Sequence, residues 1–206
     1  MKDYTFGDRP GVFAPLLGNG IFTQEGEAWK HSRELLRKQF VRTQYQNMKQ
    51  FSEHVDDLIA LLPFDGVVDL QPLFFDFTLD ITTVLLLGQS VHSLKPDITD
   101  KAGHKAFAKN FNIAQKGLAR RFRLAPWHFF YSPPEFRRAC SQVHQFVEGY
   151  IKDLNLREKN KHADESDGFI NQVAQEYETI EDLRDQLLNV LLAGRDTSAC
   201  CLSWTM

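Results

Sequence analysis

The residues of this chain that could do chemistry are concentrated in a polar interruption of a largely apolar segment near its carboxyl end. Residues 193–198 read AGRDTS. Glycine costs about 1 kcal/mol in a helix interior, so a glycine at this place needs a reason. The Thr197 hydroxyl can bond to the carbonyl of Ala193, four residues earlier, and bend the helix. We therefore predict a groove beside Gly194, with the Thr197 hydroxyl and the Asp196 carboxylate at its edge.

Such a groove could bind a small molecule and pass protons to it. The alternative is a bend in a helix, in which Thr197 bonds to the backbone and has no further role. The spacing of the residues does not distinguish these two interpretations.

A second candidate site lies in the segment Glu25–Phe40, for which we predict a helix with acidic residues at its start and basic residues at its end. Four residues at helical spacing share one face of this helix: Trp29, Arg33, Leu36 and Phe40. Arg33 is therefore predicted to be buried in an apolar stripe, where a guanidinium needs an anion. Arg33 and the Trp29 indole could together hold a carboxylate of a cofactor. The alternatives are a stack of Trp29 on Arg33, or a salt bridge from Arg33 to an acidic residue of a neighbouring helix.

The other side chains that could bind a metal or act as nucleophiles form no convincing group. Cys140 and His144 stand four residues apart and could share a helix face, but no further ligands lie near them in the sequence. We predict a core cysteine and a surface histidine there. Cys200 and Cys201 are predicted to be small buried residues. The chain contains no P-loop, no dinucleotide-binding fingerprint and no nucleophile elbow.

The composition excludes several classes of protein. The 206 residues are 43% hydrophobic and 25% charged, which is typical of a globular domain, and the net charge of −3 gives nucleic-acid binding no support. The 3 cysteines, two of them adjacent, do not favour a disulfide framework and indicate a reducing compartment. The 17 phenylalanines could line an apolar cavity. We find no run of about 18 apolar residues that could span a membrane, and no signal peptide.

The elements that must position these residues are predicted to form one incomplete helical domain over residues 1–206. Residues 1–22 contain several glycines and prolines and are predicted to be a loop. Hydrophobic spacing and breakers predict the following helices: Glu25–Phe40, Thr43–Leu62, Leu70–Leu87, Asp97–Leu118, Pro134–Leu156, Phe169–Tyr177 and Asp182–Met206. Residues 127–131 are predicted to be an aromatic loop, and residues 157–167 an exposed polar segment. No segment has the pattern of a strand.

Taken together, these residues resemble the cytochrome P-450 superfamily, the haem-thiolate monooxygenases. Residues 29–33, WKHSR, match that family's W-x-x-x-R motif on helix C, and residues 193–198 match its A-G-x-D-T-[ST] motif on helix I. The resemblance extends from the loop before helix C through helix I. The sequence of residues 20–23, GIFT, together with Arg195, is most similar to the fungal n-alkane and fatty-acid hydroxylase branch of the family.

This resemblance implies a mainly α structure, a partial cytochrome P-450 fold, and a role for each candidate residue. The residues that it implies bind haem b, the cofactor of the family, are Trp29, Arg33, Ala193 and Gly194. Asp196 and Thr197 would be the catalytic residues that handle protons. Ile21 and Phe22 would border the substrate.

The implied reaction inserts one oxygen atom from O2 into a C–H bond of a lipophilic substrate, such as an n-alkane or a fatty acid, with electrons from an NADPH-dependent reductase. In the family, the E-x-x-R motif and the haem-ligating cysteine loop follow helix I, and this sequence ends before both. We therefore expect a fragment that has no metal ligand and is inactive alone. A membrane anchor is expected to be missing too, and location at the cytosolic face of the endoplasmic reticulum membrane rests on resemblance only. Two other interpretations are a helical lipid-binding module and a non-catalytic fragment.

Overall fold

The computed structural model describes residues 5–43, 48–95, 104–160, 169–174 and 176–206. Its α-helices, in chain order, are α1 (Arg9–Leu17), α2 (Gly26–Thr43), α3 (Met48–Ala60), α4 (Leu70–Leu87), α5 (His104–Arg123), α6 (Pro134–Asn160), α7 (Phe169–Ala174) and α8 (Ile180–Thr205). A short 3-10 helix, His128–Phe130, lies between α5 and α6. Since no strand occurs in these described ranges, the prediction of a mainly α structure is confirmed.

Helix α4 has the bounds that the sequence predicts, because both of its ends carry strong local signals. At the N-terminus the Asp69 carboxylate accepts a hydrogen bond from the Gln71 amide at 3.1 Å. Gly88 follows the last residue with φ 75°, a left-handed conformation that glycine adopts without strain. The capped helix packs along α8.

Helix α4 also corrects the prediction that no segment is long and apolar enough to cross a membrane. Its 18 residues have a mean hydropathy of 1.4, and it is the one helix of the described ranges that reaches this length and apolarity. In the fold, 44% of this segment is buried. The helix contacts α3, α7 and α8, which is the arrangement of a core helix in a globular domain.

Helix α8, which carries residues 193–198, begins two residues before its predicted start. The Thr179 hydroxyl accepts a hydrogen bond from the Asp182 amide at 3.1 Å. Glu181 and Asp182 occupy the first turn, where the helix dipole favours acidic side chains. Every residue from Asp185 to Leu191 is buried, and the helix contacts α1, α4 and α6. Helix α8 is therefore the element around which the core is organised.

The hydrophobic core joins seven helices, α1, α2 and α4 to α8, to one another. Its most deeply buried side chains include Leu16 of α1, Leu79 of α4, Phe107 and Phe111 of α5, Val143 of α6 and Leu188 of α8. Phe107 stacks on Phe111 and on Phe146 of α6, with ring centroids 5.8 and 4.4 Å apart. Each such side chain contributes about 1.5–3 kcal/mol when it is fully buried, so this cluster holds the site elements in place.

The prediction that residues 1–22 form a loop is wrong for helix α1. Pro10 lies in the first turn of this helix, where a proline is tolerated because the backbone N–H there has no partner within the helix. Pro15 lies inside the helix and does not end it. Val12, Leu16 and Leu17 are almost completely buried. Packing against the other helices therefore outweighs the breaker residues, a balance that local spacing does not reveal.

The remaining predicted elements exist with shifted ends. Helix α2 extends past Phe40 to Thr43, α5 runs on to Arg123, α6 runs on to Asn160, and α7 ends at Ala174. The predicted aromatic loop contains the 3-10 helix. Residues 44–47, 96–103 and 161–168 lie outside the described residues, and with them parts of the predicted helices and most of the predicted polar segment.

Candidate functional site

A cleft of about 430 Å³ lies between α2, α8 and the loop that joins α1 to α2. Its lining residues are Ile21, Phe22, Arg33, Leu36, Arg37, Phe40, Val190 and Ala193. Four of these were predicted as site residues from separate parts of the sequence: Ile21, Phe22, Arg33 and Ala193. The fold therefore brings the residues of both motifs, and the loop before the first motif, to one place.

Arg33 lies at the surface of this cleft and is exposed, so the prediction that its guanidinium is buried is wrong. The apolar face of α2 is the reason, because Leu36 is 4% exposed while Phe40 is 38% exposed. Part of this face opens onto the cleft, while Phe40 also packs against Phe169 of α7, with ring centroids 5.6 Å apart. The Arg33 guanidinium carbon stands 5.4 Å from the centre of the Trp29 ring, which is the predicted alternative of a stack.

The charge of Arg33 is available for a ligand. Among the described residues, no carboxylate lies within salt-bridge distance of its guanidinium. Arg37, one turn further along α2, lines the same cleft. Two guanidinium groups above walls of Ile21, Phe22, Leu36 and Val190 suit a flat apolar molecule that carries carboxylates. The donor set therefore fits the haem group that the sequence motifs imply.

Ala193 and Gly194 are consecutive, yet they face different parts of the molecule. Ala193 lines the cleft. A Cβ atom on Gly194 would instead lie 3.0 Å from both Cγ2 and Oγ1 of Thr82 on α4. The space beside Gly194 is thus filled by Thr82, and the predicted groove at that position is wrong. Gly194 permits a close approach of α8 to α4.

Thr197 makes the predicted hydrogen bond. Its Oγ1 donates to the Ala193 carbonyl at 2.6 Å, and the side chain is exposed. Helical hydrogen bonding continues through this position. Since Thr197 lies one turn after Ala193, it projects from nearly the same side of α8 as the residue that lines the cleft. Thr197 itself does not line the cleft.

Asp196 is held by two side chains that the sequence analysis did not single out for this purpose. Its Oδ2 accepts a hydrogen bond from Nε2 of Gln115 on α5 at 2.6 Å. Its Oδ1 accepts one from Nη1 of Arg195 at 3.1 Å. The Asp196 side chain is 36% exposed to solvent. Its carboxylate is therefore fixed in direction and still reachable by water.

Arg195 is the buried arginine of the site, with a side-chain exposure of 3%. Its Nη1 and Nη2 donate to Oε1 of Gln115 and Oδ1 of Asn112, each at 2.5 Å. Its guanidinium carbon stands 4.9 Å from the Phe75 ring and 5.5 Å from the Phe111 ring. Burial lowers the pKa of Arg195, and the charges of the neighbouring carboxylates oppose that shift.

Asp76 on α4 completes this charged group. Burial raises the pKa of its carboxyl group to about 6, Asp80 adds to the shift, and the positive charge of Arg195 opposes it. Asn112 and Gln115 stand three residues apart on one face of α5, which is the sequence signal that could have drawn attention to them. Their partners lie 80 or more residues away in the chain.

The cysteines and histidines form no candidate metal centre in the described ranges. Cys140 is buried, as predicted, and burial raises the pKa of its thiol to about 12. His144 is half-buried, not at the surface as predicted, and its Nε2 donates to the Leu16 carbonyl at 2.8 Å. Burial lowers the pKa of His144. Cys200 and Cys201 are exposed, which corrects the prediction that they are buried, because the buried face of α8 ends at Ala199.

Comparison with known proteins shows the family to which the chain belongs. The family model described as Cytochrome P450 matches residues 3–206. The chain is 45% identical to a cytochrome P450 of Arthroderma benhamiae, over 92% of this chain and 39% of that protein. It is 39% identical to cytochrome P450 52A13 of Debaryomyces hansenii, over 100% of this chain and 42% of that protein. It is 37% identical to cytochrome P450 monooxygenase himC of Aspergillus japonicus, over 98% and 38% of the two chains. The chain thus spans about two fifths of the length of these relatives.

Proposed function

This chain belongs to the cytochrome P450 family, and we propose that it forms part of a haem-dependent monooxygenase. The proposed substrate is a lipophile such as an n-alkane or a fatty acid, in keeping with the fungal branch that the motifs resemble. The proposed partners are O2 and an NADPH-dependent reductase. Residues 1–206 would be one part of a larger helical domain, and the complete enzyme would include the segments present in its longer relatives.

The observation that carries this proposal is the meeting of two motifs at one cleft. Arg33 and Ala193 are 160 positions apart in the chain, and both line the same cavity. A structural ion pair would have placed a carboxylate beside Arg33, and none of the described residues supplies one. Arg33 is exposed and is stable in water without a partner, but it lies at the cleft with no carboxylate beside it among the described residues, so it is accessible to an anionic ligand.

Haem supplies the oxygen chemistry when it is bound, and the chain supplies geometry and charge. Arg33 would hold a haem propionate through its two-pronged donor face. Trp29 would keep the Arg33 guanidinium oriented by stacking beneath it, at the 5.4 Å separation given above. Ala193, with its small side chain, would leave room in the cleft for the haem group. Ile21 and Phe22 would give the substrate an apolar border.

Asp196 and Thr197 follow Ala193 on α8 without lining the cleft themselves, and they would handle protons near it. The Asp196 carboxylate has an exposed surface at which it can exchange a proton with water, while Gln115 keeps it pointing in one direction. The Thr197 hydroxyl donates to Ala193 and so leaves its oxygen lone pairs free to accept a hydrogen bond. This pair could pass a proton from solvent toward a ligand that occupies the cleft.

The location that we propose is the cytosolic face of the endoplasmic reticulum membrane. The proposal depends on family membership alone. Helix α4 is long and apolar enough to span a membrane, but it packs as a core helix of the fold and so does not support a membrane location. Exposed aromatic side chains between α5 and α6, with Trp127, Phe129 and Phe130 each more than half exposed, are compatible with a membrane-associated protein.

The haem proposal is tested in the complete enzyme by replacing Arg33 with alanine. Loss of a charge-assisted hydrogen bond costs about 1.5–3 kcal/mol, so haem affinity should fall about 10–100-fold. Arg33→Lys keeps the positive charge but cannot donate two parallel hydrogen bonds, so its haem affinity should lie between those of the parent and of Arg33→Ala. Lys38→Ala removes a charge from an exposed position of α2 that does not line the cleft, and it is the matched control. Full haem occupancy in Arg33→Ala would contradict the assignment.

The proton-transfer proposal is tested with Thr197→Ala and Thr197→Ser. Alanine removes the hydroxyl, so less hydroxylated product should form for each O2 consumed. Serine keeps the hydroxyl and should retain most of the coupling. The measurement compares O2 uptake with product yield, and equal coupling in the alanine variant and the parent enzyme would exclude this role.

A further inference from the structure

Three polar side chains of α8 are buried on the side that faces the loop between α1 and α2. They are Asp185, Gln186 and Asn189, with exposures of 6%, 1% and 0%. Buried polar groups are costly unless they are hydrogen-bonded, so each of these side chains must have a fixed partner. None of them belongs to the motifs that identify the family.

The acceptor atoms of these side chains bind three backbone N–H groups of the loop. Asp185 Oδ2 accepts from the Asn19 amide at 2.7 Å, and Gln186 Oε1 accepts from the Ile21 amide at 3.2 Å. Asn189 Oδ1 accepts from the Phe22 amide at 2.9 Å. One face of α8 therefore binds a stretch of only four residues through three hydrogen bonds.

The donor atoms of the two amide side chains bind the elements on either side of the loop. Asn189 Nδ2 donates to the Leu17 carbonyl at the end of α1, at 2.9 Å. Gln186 Nε2 donates to Oγ of Ser32 on α2, at 2.7 Å. These bonds fix which end of each amide group faces the loop. The same two side chains therefore hold the loop against α8 and bind α8 to the end of α1 and to α2.

Two glycines of the loop allow this close contact. Gly18 has φ 54°, and a Cβ atom there would overlap the Asp185 carboxylate. A Cβ atom on Gly20 would overlap the Asn189 side chain. The loop backbone thus lies directly against α8, with no side chain between them.

Resting on the proposed function, we propose that Gln186 and Asn189 are positioning residues that set substrate orientation by holding Ile21 and Phe22 at the wall of the cleft. Loops that border a site are ordinarily mobile, and a mobile wall would accept a flexible lipophile in several positions. Here the helix that supplies Val190 and Ala193 to one wall also holds the opposite wall through the backbone. The distance between the two walls is therefore set by side chains that do not touch the substrate.

The test uses the complete enzyme with Gln186→Ala and Asn189→Ala, and lauric acid as the probe. Removal of one acceptor should speed amide hydrogen exchange in the segment 18–22 by about threefold to tenfold. The position of hydroxylation on lauric acid should become less selective, and the KM for lauric acid should rise more than kcat falls.

Leu188→Ala is the matched control, because it removes a fully buried side chain of the same helix that touches neither the loop bonds nor the cleft lining. It should lower the thermal midpoint by an amount similar to Gln186→Ala or larger, and leave the product distribution unchanged. Wild-type exchange rates in both alanine variants would overturn the proposal. So would a product distribution that changes equally in Gln186→Ala and Leu188→Ala.

Failure of the proposed function would look different from failure of this inference. A complete enzyme that binds no haem and oxidises no lauric acid, and whose alanine variants still exchange faster at segment 18–22, would reject the monooxygenase proposal. In that case the loop contacts would be real, and the proposed role in orienting a substrate would be overturned with the function on which it rests.

Discussion

Replacement of Gly194 by alanine separates two explanations of the glycine at this motif position: packing against α4, or space for the haem group. A Cβ atom at this position would stand 3.0 Å from Cγ2 and from Oγ1 of Thr82. Carbon atoms in good contact are about 3.5–4.0 Å apart, so Thr82 would have to move by a few tenths of an ångström. Thr82 is buried, and its Oγ1 donates to the Thr78 carbonyl at 2.6 Å, which restricts that movement.

The expected size of the effect follows from two opposing contributions. Overpacking of a well-packed site costs about 1–3 kcal/mol. Alanine is better than glycine in a helix interior by about 1 kcal/mol. Gly194→Ala should therefore lower the free energy of unfolding by about 0–2 kcal/mol. In a Thr82→Ala background both close atoms are gone, and the same replacement should stabilise the protein by up to about 1 kcal/mol.

The assay is a double-mutant cycle in the complete enzyme. Urea unfolding, followed by far-ultraviolet circular dichroism at matched haem saturation, gives the stability of the parent, both single variants and the double variant. Haem content, from the Soret absorbance, is measured on the same four proteins. The reasoning is refuted if Gly194→Ala changes stability by the same amount in both backgrounds. Haem loss of equal size in both backgrounds would show instead that Gly194 acts toward the cofactor.

Two further predictions concern buried charges away from the cleft. The folded-state pKa of Asp76, about 6, lies above its usual 3.8, so its charge destabilises the fold progressively as pH rises from about 4 to about 6. Asp76→Asn should remove this pH dependence and be more stable than the parent by about 1–3 kcal/mol near neutral pH. Unfolding midpoints of both proteins at about pH 4 and pH 7 check this. If the stability of parent and variant changed equally between these two pH values, the prediction would be wrong. The Arg121 guanidinium donates to the carbonyls of four residues, Gly11, Val12, His128 and Tyr131. Arg121→Lys cannot make these four hydrogen bonds, so it should lower the free energy of unfolding by about 2–4 kcal/mol, measured by thermal or urea unfolding. A decrease below about 0.5 kcal/mol would contradict this prediction.

Local sequence signals were sufficient for the ends of several helices and for one side-chain bond. Leu70–Leu87 was predicted with its observed bounds, because Asp69 and Gly88 act within a few residues of the ends they define. The bond from Thr197 to the Ala193 carbonyl was predicted for the same reason, since it spans a single helical turn. Helix α1 was missed because the burial of Leu16 and Leu17 depends on distant helices.

In the candidate site, too, the sequence predicted local features but not contacts between distant residues. Helical spacing showed that Trp29, Arg33 and Leu36 share a face of α2, but it could not show whether another element covers that face. The exposure of Arg33 was therefore mispredicted, although the residue was correctly singled out. Gln115 was missed altogether, because its contact with Asp196 joins positions 81 residues apart.

The amino-acid sequence by itself determined the helical periods, several helix ends and the two motifs by which the family is recognised. These properties depend on residue types and on contacts within one or two turns of a helix. The tertiary structure alone decided that Gly194 faces Thr82, that Arg33 opens onto a cleft, and that three polar side chains of α8 hold a loop more than 160 residues away. Those contacts arise only when helices pack, because the partner of a polar side chain is chosen by proximity in the folded core and not by distance along the chain.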